Sequence, residues 1–181
     1  MKTYRDSSTD TNLIDFPVSL GKLITDSMDE KDFAKKLKAR KRLVGMGKAI
    51  VPHLKILLAS RKVSMRKEAA KIIELIADKK SIPLLIDLLD DTQFDIRWIA
   101  AEGLIKIGRQ SIIPLLKSVR DGKSSYFLNQ GAHHVLNGLV NENEKEKLDS
   151  LMQSLDNFHE LGETAPIEAS KAIKAVFRYK R

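Results

Sequence analysis

The sequence repeats itself with a period of 31 residues. Pro52, Pro83 and Pro114 are each separated from the next by 31 residues. A fixed period between about 20 and 50 residues is typical of stacked units that cannot bury an apolar face alone. The period therefore predicts a repeat architecture. Other positions in the same register also carry similar side chains, namely Leu54, Leu85 and Leu116, then Ala70, Ala101 and Ala132, then Ile73, Leu104 and Val135.

Each repeat has the pattern of two helices. In the central repeat, Leu85 and Leu88 share one face of the first helix, and Pro83 fits its first turn, where a missing N–H costs nothing. No stretch shows sustained alternation of apolar and polar residues between turn signals, so the chain is predicted to be all-α. The second helix carries an apolar stripe and ends at a glycine: Ile96, Ala100, Leu104, Ile107 and Gly108.

A motif in this second helix resembles a known family. It reads D-x-R-x-x-A-A followed by L-x-x-I-G, and its residues are Asp95, Arg97, Ala100, Ala101, Leu104, Ile107 and Gly108. Together with the proline of the first helix, it is similar to HEAT-like repeats of the short kind that also occur in phycobilin lyases. The motif arginine recurs at Arg66 and is replaced by Lys35 and Leu128 in the outer repeats. The resemblance implies a right-handed solenoid of helix pairs and almost nothing about activity.

The 31-residue register also divides the chain. Residues 1–12 are polar and rich in Ser, Thr and Asp, and they are expected to form a mobile tail. The remainder, 13–181, is predicted to be a single HEAT-like repeat domain. Its parts are an N-terminal cap at 13–30, a degenerate unit at 31–48, repeats at 49–80, 81–110 and 111–140, and a diverged C-terminal helix pair at 141–181.

Composition excludes several classes of protein. With 43% apolar and 31% charged residues in 181 positions, the chain can bury one continuous core. It contains no cysteine, which removes disulfides, thiolate nucleophiles and thiolate metal sites. The N-terminus, MKTYRDSSTDTNLIDF, lacks the apolar region of a secretory signal, and no window approaches the roughly 20 apolar residues of a membrane span. We therefore expect a cytoplasmic protein that does not enter a membrane.

The histidines do not form a recognisable metal motif. His133 and His134 are adjacent, so on a helix they point about 100° apart and do not chelate one ion from one face. His159 and Glu160 resemble one of the His-Glu dipeptides with which HEAT-repeat deoxyhypusine hydroxylases hold iron, but that resemblance needs four such pairs. The segment GMGK at 45–48 lacks the spacing of a phosphate-binding loop. The sequence therefore predicts no catalytic residue, no cofactor and no metal site.

The formal net charge of +8 is unevenly distributed. Residues 31–80 contain 16 Lys or Arg against 4 Asp or Glu, a net of +12, so the rest of the chain is slightly acidic. Such a concentration is a candidate electrostatic footprint. If the second helices line a concave face, as the family resemblance implies, the register gives two solvent-facing columns: Lys36, Lys67, Trp98 and Asn129, and beside them Arg40, Lys71, Glu102 and His133.

These columns are the predicted partner-binding surface. We expect a non-catalytic scaffold or adaptor that binds a protein partner along the concave helical surface. The alternative is sequence-independent DNA or RNA backbone binding through the basic segment 31–80. A third reading, implied by a resemblance to HEAT-like DNA glycosylases with a basic concave groove, is an enzyme with Trp98 and Asp95 near the lesion. The predicted partner-binding residues are Lys36, Arg40, Lys67, Lys71, Trp98 and Glu102.

Each of these functional interpretations has an alternative in which the same residues serve only the structure. A lysine-rich helix is often only a solvated surface. Trp98 has the alternative role of packing between repeats, because tryptophan is well buried on average. Tyr126 and Phe127 are expected to pack in the core or at the edge of the third repeat. The identity of the partner and the oligomeric state stay open.

Overall fold

The computed structural model describes residues 16–121, 125–156 and 164–178. Every regular element in these ranges is a helix, so the all-α prediction is confirmed. The chain forms two compact units, Met1–Ser81 and Ile82–Arg181. The predicted tail at 1–12 and the dipeptide at 159–160 lie outside the described residues. The single-domain boundary 13–181 stays a prediction.

The first unit contains two helix pairs. α1 packs on α2, α3 packs on α4, and α2 also contacts α4. The unit at 31–48 was expected to be degenerate. Its helix α2 pairs with α1, which begins directly after Pro17 within the predicted cap. The helices are α1 (Val18–Ser27), α2 (Phe33–Gly45), α3 (Val51–Leu58) and α4 (Val63–Ile76).

The second unit continues the pairing. α5 packs on α6 and α7 packs on α8, and the second helices α6 and α8 contact each other. The C-terminal pair reverses this order, because α9 packs on the second helix α8 while α10 packs on the first helix α7. The helices are α5 (Ile82–Leu88), α6 (Phe94–Ile107), α7 (Ile112–Arg120), α8 (Tyr126–Leu139), α9 (Glu142–Asp156) and α10 (Thr164–Arg178).

The repeat positions predicted to start and stop helices do so. Pro52, Pro83 and Pro114 lie in the first turns of α3, α5 and α7. Ala77 and Gly108, which are 31 residues apart, follow α4 and α6, and both have positive φ angles, 49° and 87°. Glycine adopts such angles without steric cost and alanine does not. The repeat 49–80 therefore ends its second helix on a strained residue where the repeat 81–110 uses glycine.

The motif arginines fix the turn between the two helices of a repeat. Arg66 Nη1 donates to the carbonyl of Ser60 at 2.9 Å, and Arg97 Nη1 donates to the carbonyl of Asp91 at 2.8 Å. Both carbonyls lie just beyond the end of a first helix. Each arginine therefore ties the start of the second helix to the turn that precedes it.

The outer repeats, which lack this arginine, cap the second helix by another means. Asp32 Oδ1 accepts a hydrogen bond from the amide of Lys35 at 2.9 Å, and Ser125 Oγ accepts one from the amide of Leu128 at 3.0 Å. The residues that precede α4 and α6 make no side-chain cap of this kind. Two different devices therefore hold the same turn in different repeats.

Candidate partner-binding surfaces

The predicted partner-binding residues divide between the two units. Four lie in the first unit on α2 and α4, and two lie in the second unit on α6. Within each unit, charged side chains connect neighbouring second helices. The residues are Lys36 and Arg40 on α2, Lys67 and Lys71 on α4, and Trp98 and Glu102 on α6.

An ion pair joins α2 to α4 in the first unit. Arg40 donates two hydrogen bonds to Glu68, from Nε to Oε1 at 2.8 Å and from Nη2 to Oε2 at 2.6 Å. The Glu68 side chain is only 6% exposed and that of Arg40 20% exposed. Paired bonds of this kind are the strong form of an arginine-carboxylate contact, and they raise the pKa of Arg40 above its ordinary value. The Arg40 guanidinium is therefore occupied within the unit.

The three predicted lysines differ in their surroundings. Lys71 Nζ lies 2.5 Å from Glu74 Oε2, one turn further along α4. Lys67 is exposed and Lys36 is half-buried. Part of the positive charge of the segment 31–80 is thus balanced by carboxylates on the same helix or the next one.

An aromatic groove lies between α6 and α8 in the second unit. Its volume is about 180 Å³. Two of its rings are unusually open to solvent, with Trp98 48% and Phe94 65% exposed. The groove is lined by Phe94, Arg97, Trp98, Ala101, Phe127, Gln130, Gly131 and His134.

Trp98 is held by contacts on only part of its surface. Its ring centroid lies 4.6 Å from that of His134 and 6.2 Å from that of Phe94, both within the usual range for paired rings. The contact with His134 joins α6 to α8, as the packing reading of Trp98 requires. Packing between repeats accounts only for the side of Trp98 that contacts His134, however, because nearly half of the residue remains exposed.

Arg97 places a cation among the aromatic rings. Its guanidinium carbon lies 3.9 Å from the centroid of Phe127 and 5.7 Å from that of Phe94. The bond to the carbonyl of Asp91 holds the side chain in this position. Sequence reasoning identified Arg97 as a motif residue and Phe127 as a packing residue, and did not place either in a site. The sequence feature that could have indicated this cation is the position of Arg97 directly before Trp98.

The two adjacent histidines contact different helices. His134 Nε2 lies 3.0 Å from Glu102 Oε1 on α6, and His133 Nε2 lies 3.4 Å from Asp156 Oδ2 on α9. The predicted divergence of the two rings is confirmed. The register had instead placed Glu102 in one column with His133, and the ring that Glu102 contacts is that of His134.

The predicted exposure of Asn129 is wrong, because this residue is fully buried. Its helix, α8, is flanked by α6, α7 and α9, so a position that faces solvent on an earlier second helix is covered here. Gly131 shows how closely α8 is packed, since a Cβ added there would lie 2.8 Å from Leu89 Cδ2. The columns read from the register therefore do not extend unchanged into the third repeat.

A comparison with protein families decides the identity of the repeats. A family model described as HEAT repeats matches residues 51–137, which span α3 to α8. Residues 51–137 are HEAT-like repeats. Such repeats fit an all-α solenoid, as the family resemblance implied. A search of curated proteins found no similar sequence. In the described part of the chain, no helix is long and apolar enough to cross a membrane.

Proposed function

We propose that this HEAT-like repeat protein is a non-catalytic scaffold or adaptor that binds a protein partner, with the aromatic groove between α6 and α8 as its anchor. HEAT repeats commonly mediate protein–protein interaction. The observation that carries the proposal is the exposed Trp98, flanked by Phe94 and Arg97. Large apolar side chains that cluster on a surface are typical of interaction sites.

The composition and size of the groove support a protein partner. Tryptophan, tyrosine and arginine are enriched among the residues that contribute most to binding energy at interfaces. Here Trp98 and Arg97 line the groove, and the exposed Tyr126 contacts the Phe127 ring, with 5.4 Å between the ring centroids. At about 180 Å³ the groove is smaller than the roughly 300 to 1,000 Å³ of most small-molecule sites. It suits one apolar or aromatic side chain of a partner.

The residues of the first unit enter the proposal in two ways. Lys36 and Lys67 act as rim charges, which mainly change the rate of association. Arg40 and Lys71 are engaged by Glu68 and Glu74, so their contribution is to hold the surface in place. The fuller proposal is that the partner follows the concave surface formed by the second helices. The cytoplasmic location of the protein stays a prediction.

The nucleic-acid alternative keeps the support of the +12 charge over residues 31–80. Backbone binding that neutralises about 4 to 6 phosphates would give a duplex affinity that falls with log salt at a slope of about −4 to −5. The engagement of Arg40 and Lys71 by carboxylates makes this reading weaker than the protein partner. A glycosylase-type enzyme comes last, because the family is typically non-catalytic.

The proposal is tested by capture from a nuclease-treated extract. The wild-type chain should retain a protein partner after nuclease treatment, and Trp98→Ala should lose it, with an affinity lower by about 30-fold for a central anchor. Ile167→Ala is the matched control, because Ile167 is also an exposed large apolar residue but lies on α10, which packs on the first helix α7. Unchanged capture by the Trp98→Ala protein would contradict the proposal. Loss of all capture on nuclease treatment would favour the nucleic-acid alternative.

A further inference from the structure

A second cleft lies in the first unit, between α1 and α2. Its volume is about 400 Å³, and its lining includes the cations Lys22, Lys38 and Arg42. We call it the α1–α2 cleft. None of these three residues belongs to the predicted partner-binding surface.

The α1–α2 cleft and that surface lie on opposite sides of α2. An α-helix turns by about 100° per residue, so Lys38 and Arg42 point about 200° away from Lys36 and Arg40, which precede them by two positions. α2 therefore presents two separate rows of cations. One row reaches α4 through the Arg40–Glu68 pair, and the other faces α1.

The two ends of the α1–α2 cleft differ in charge balance. At the end near the connection between α1 and α2, Lys35 Nζ forms ion pairs with Asp26 at 3.0 Å and with Asp29 at 3.1 Å. Among the described residues that line the cleft, Asp26 is the one carboxylate, and Lys35 engages it. Among the described residues, Lys22, Lys38 and Arg42 have no carboxylate partner within 4.0 Å. The end of the cleft away from this connection therefore holds three positive charges that no described carboxylate balances.

The lining of the α1–α2 cleft is suited to a phosphate ligand. The guanidinium of an arginine binds phosphate oxygens through two parallel hydrogen bonds, and lysines add point charges. Leu23 and Ala39 give the cleft an apolar part, and its volume falls within the range of small-molecule sites. We propose that this cleft binds the phosphate groups of a small organic di- or polyphosphate, with Arg42 as the bidentate donor and Lys22 and Lys38 as the balancing charges.

A small ligand fits this cleft better than a nucleic-acid strand. A strand requires cations along an extended track that follows its backbone. Here the cations are gathered in one cleft, and the Lys35–Asp26 pair occupies its other end. The phosphate site is independent of the proposed partner binding, because it uses neither the aromatic groove nor the α2–α4 surface.

Calorimetric titration of the full chain with inorganic pyrophosphate, at low salt in a phosphate-free buffer, tests the site. The wild type should bind pyrophosphate and gain thermal stability from it. Lys38→Gln with Arg42→Gln should weaken binding about tenfold or more, because a charge-assisted contact and a second charge are lost. Lys48→Gln with Lys55→Gln is the matched control. It removes the same charge from exposed positions outside the cleft and should change the affinity by less than about twofold.

Three results would overturn the phosphate site. The first is that pyrophosphate does not bind the wild type. The second is an equal loss of affinity in both double variants, which would indicate non-specific attraction to a basic surface. The third is a single-stranded oligonucleotide that binds more tightly than pyrophosphate and loses affinity in the Lys38→Gln, Arg42→Gln protein.

A second readout separates a binding site from a structural one. Without ligand, the Lys38→Gln, Arg42→Gln protein should melt at the same temperature as the wild type or slightly higher, because unbalanced like charges are removed. A clearly lower melting temperature would mean that these side chains hold the fold, and would count against the site. Retained partner capture through Trp98 in this variant would show that the two surfaces are independent.

Discussion

Arg40 in the first unit and Glu102 in the second occupy the same repeat position, yet their surroundings differ. Arg40 forms a nearly buried ion pair with Glu68 that connects α2 to α4. Glu102 contacts His134 and connects α6 to α8, but both side chains are well exposed, at 42% and 38%. The side-chain pair between second helices is thus nearly buried in the first unit and well exposed to solvent in the second.

The neighbouring repeat position shows the same contrast. It is Lys67 in the first unit and Trp98 in the second. The first unit uses a charged pair to hold its second helices together, whereas the second unit leaves aromatic rings facing solvent. The repeat register determines where a side chain leaves the helix, and its chemical surroundings depend on the particular neighbours. The predictions below test this contrast.

The largest expected effect is the loss of the buried carboxylate in the first unit. Glu68→Ala leaves the mostly covered Arg40 without its partner and should lower the free energy of unfolding by about 3 kcal/mol. The matched change in the second unit, Glu102→Ala, should cost less than about 1 kcal/mol, since that pair is exposed. Chemical denaturation measures both. The double variant Arg40→Met, Glu68→Met should recover much of the loss, and equal costs in the two units would contradict the contrast.

Overpacking at the alanine position should give the next largest effect. Ala70 and Ala101 are buried on the second helices α4 and α6. Ala70→Leu should destabilise the protein by about 2 kcal/mol, because the residue is fully enclosed. Ala101→Leu should cost about 1 kcal/mol, because its side chain borders the aromatic groove and has room to turn into it. Melting temperatures check both, and no change in either variant would contradict the need for small residues at this position.

Substitutions at the helix ends Ala77 and Gly108 should have smaller effects on stability, and of opposite sign. Gly108→Ala should destabilise by about 1 kcal/mol, since φ is 87° there. Ala77→Gly should stabilise by about 0.5 kcal/mol, because relief of the left-handed alanine exceeds the added entropy of the unfolded chain. Both are read from denaturation midpoints. A destabilising Ala77→Gly would show that the alanine side chain contributes more packing than strain.

The smallest expected effect concerns an exposed arginine pair in the second unit. Arg109 forms hydrogen bonds to both carboxylate oxygens of Glu144, and these lower the pKa of Glu144 to about 2 from 4.5. A lowered carboxyl pKa contributes stability above pH 4.5 that is lost as the pH falls from 4.5 towards 2. Because the Arg109 side chain is 57% exposed, the contribution is expected to be below about 1 kcal/mol.

The pH dependence of unfolding measures this contribution. The wild type should be more stable than Glu144→Gln above pH 5, and the difference should shrink as the pH falls towards 2. Lys145→Gln is a control on the same helix, since Lys145 forms an ion pair with the exposed Glu142 three residues before it. A difference that stays constant with pH would show that the pair does not act through the charge of Glu144.

The candidate surfaces could be predicted only in part. The register placed Trp98 on a second helix with its side chain towards solvent, and the structure agrees. It did not find the ring contacts of Phe127 or the cation of Arg97 that complete the aromatic groove, because these depend on how α6 and α8 approach each other. It also missed the α1–α2 cleft. The basic character of α2 was plain, but its division into two rows depends on which face meets α1 and which meets α4.

What the sequence by itself determined is the local framework. The 31-residue period, the prolines in the first turns and Gly108 at a helix end follow from backbone geometry and apolar periodicity, which act over a few residues. Only the tertiary structure decided which charges are paired. Arg40 meets Glu68 across 28 residues and Glu102 meets His134 across 32, neither at the repeat period itself. Such contacts depend on the rotation and spacing of neighbouring helices, which side-chain volume sets at each interface, as the close approach of Gly131 to Leu89 shows.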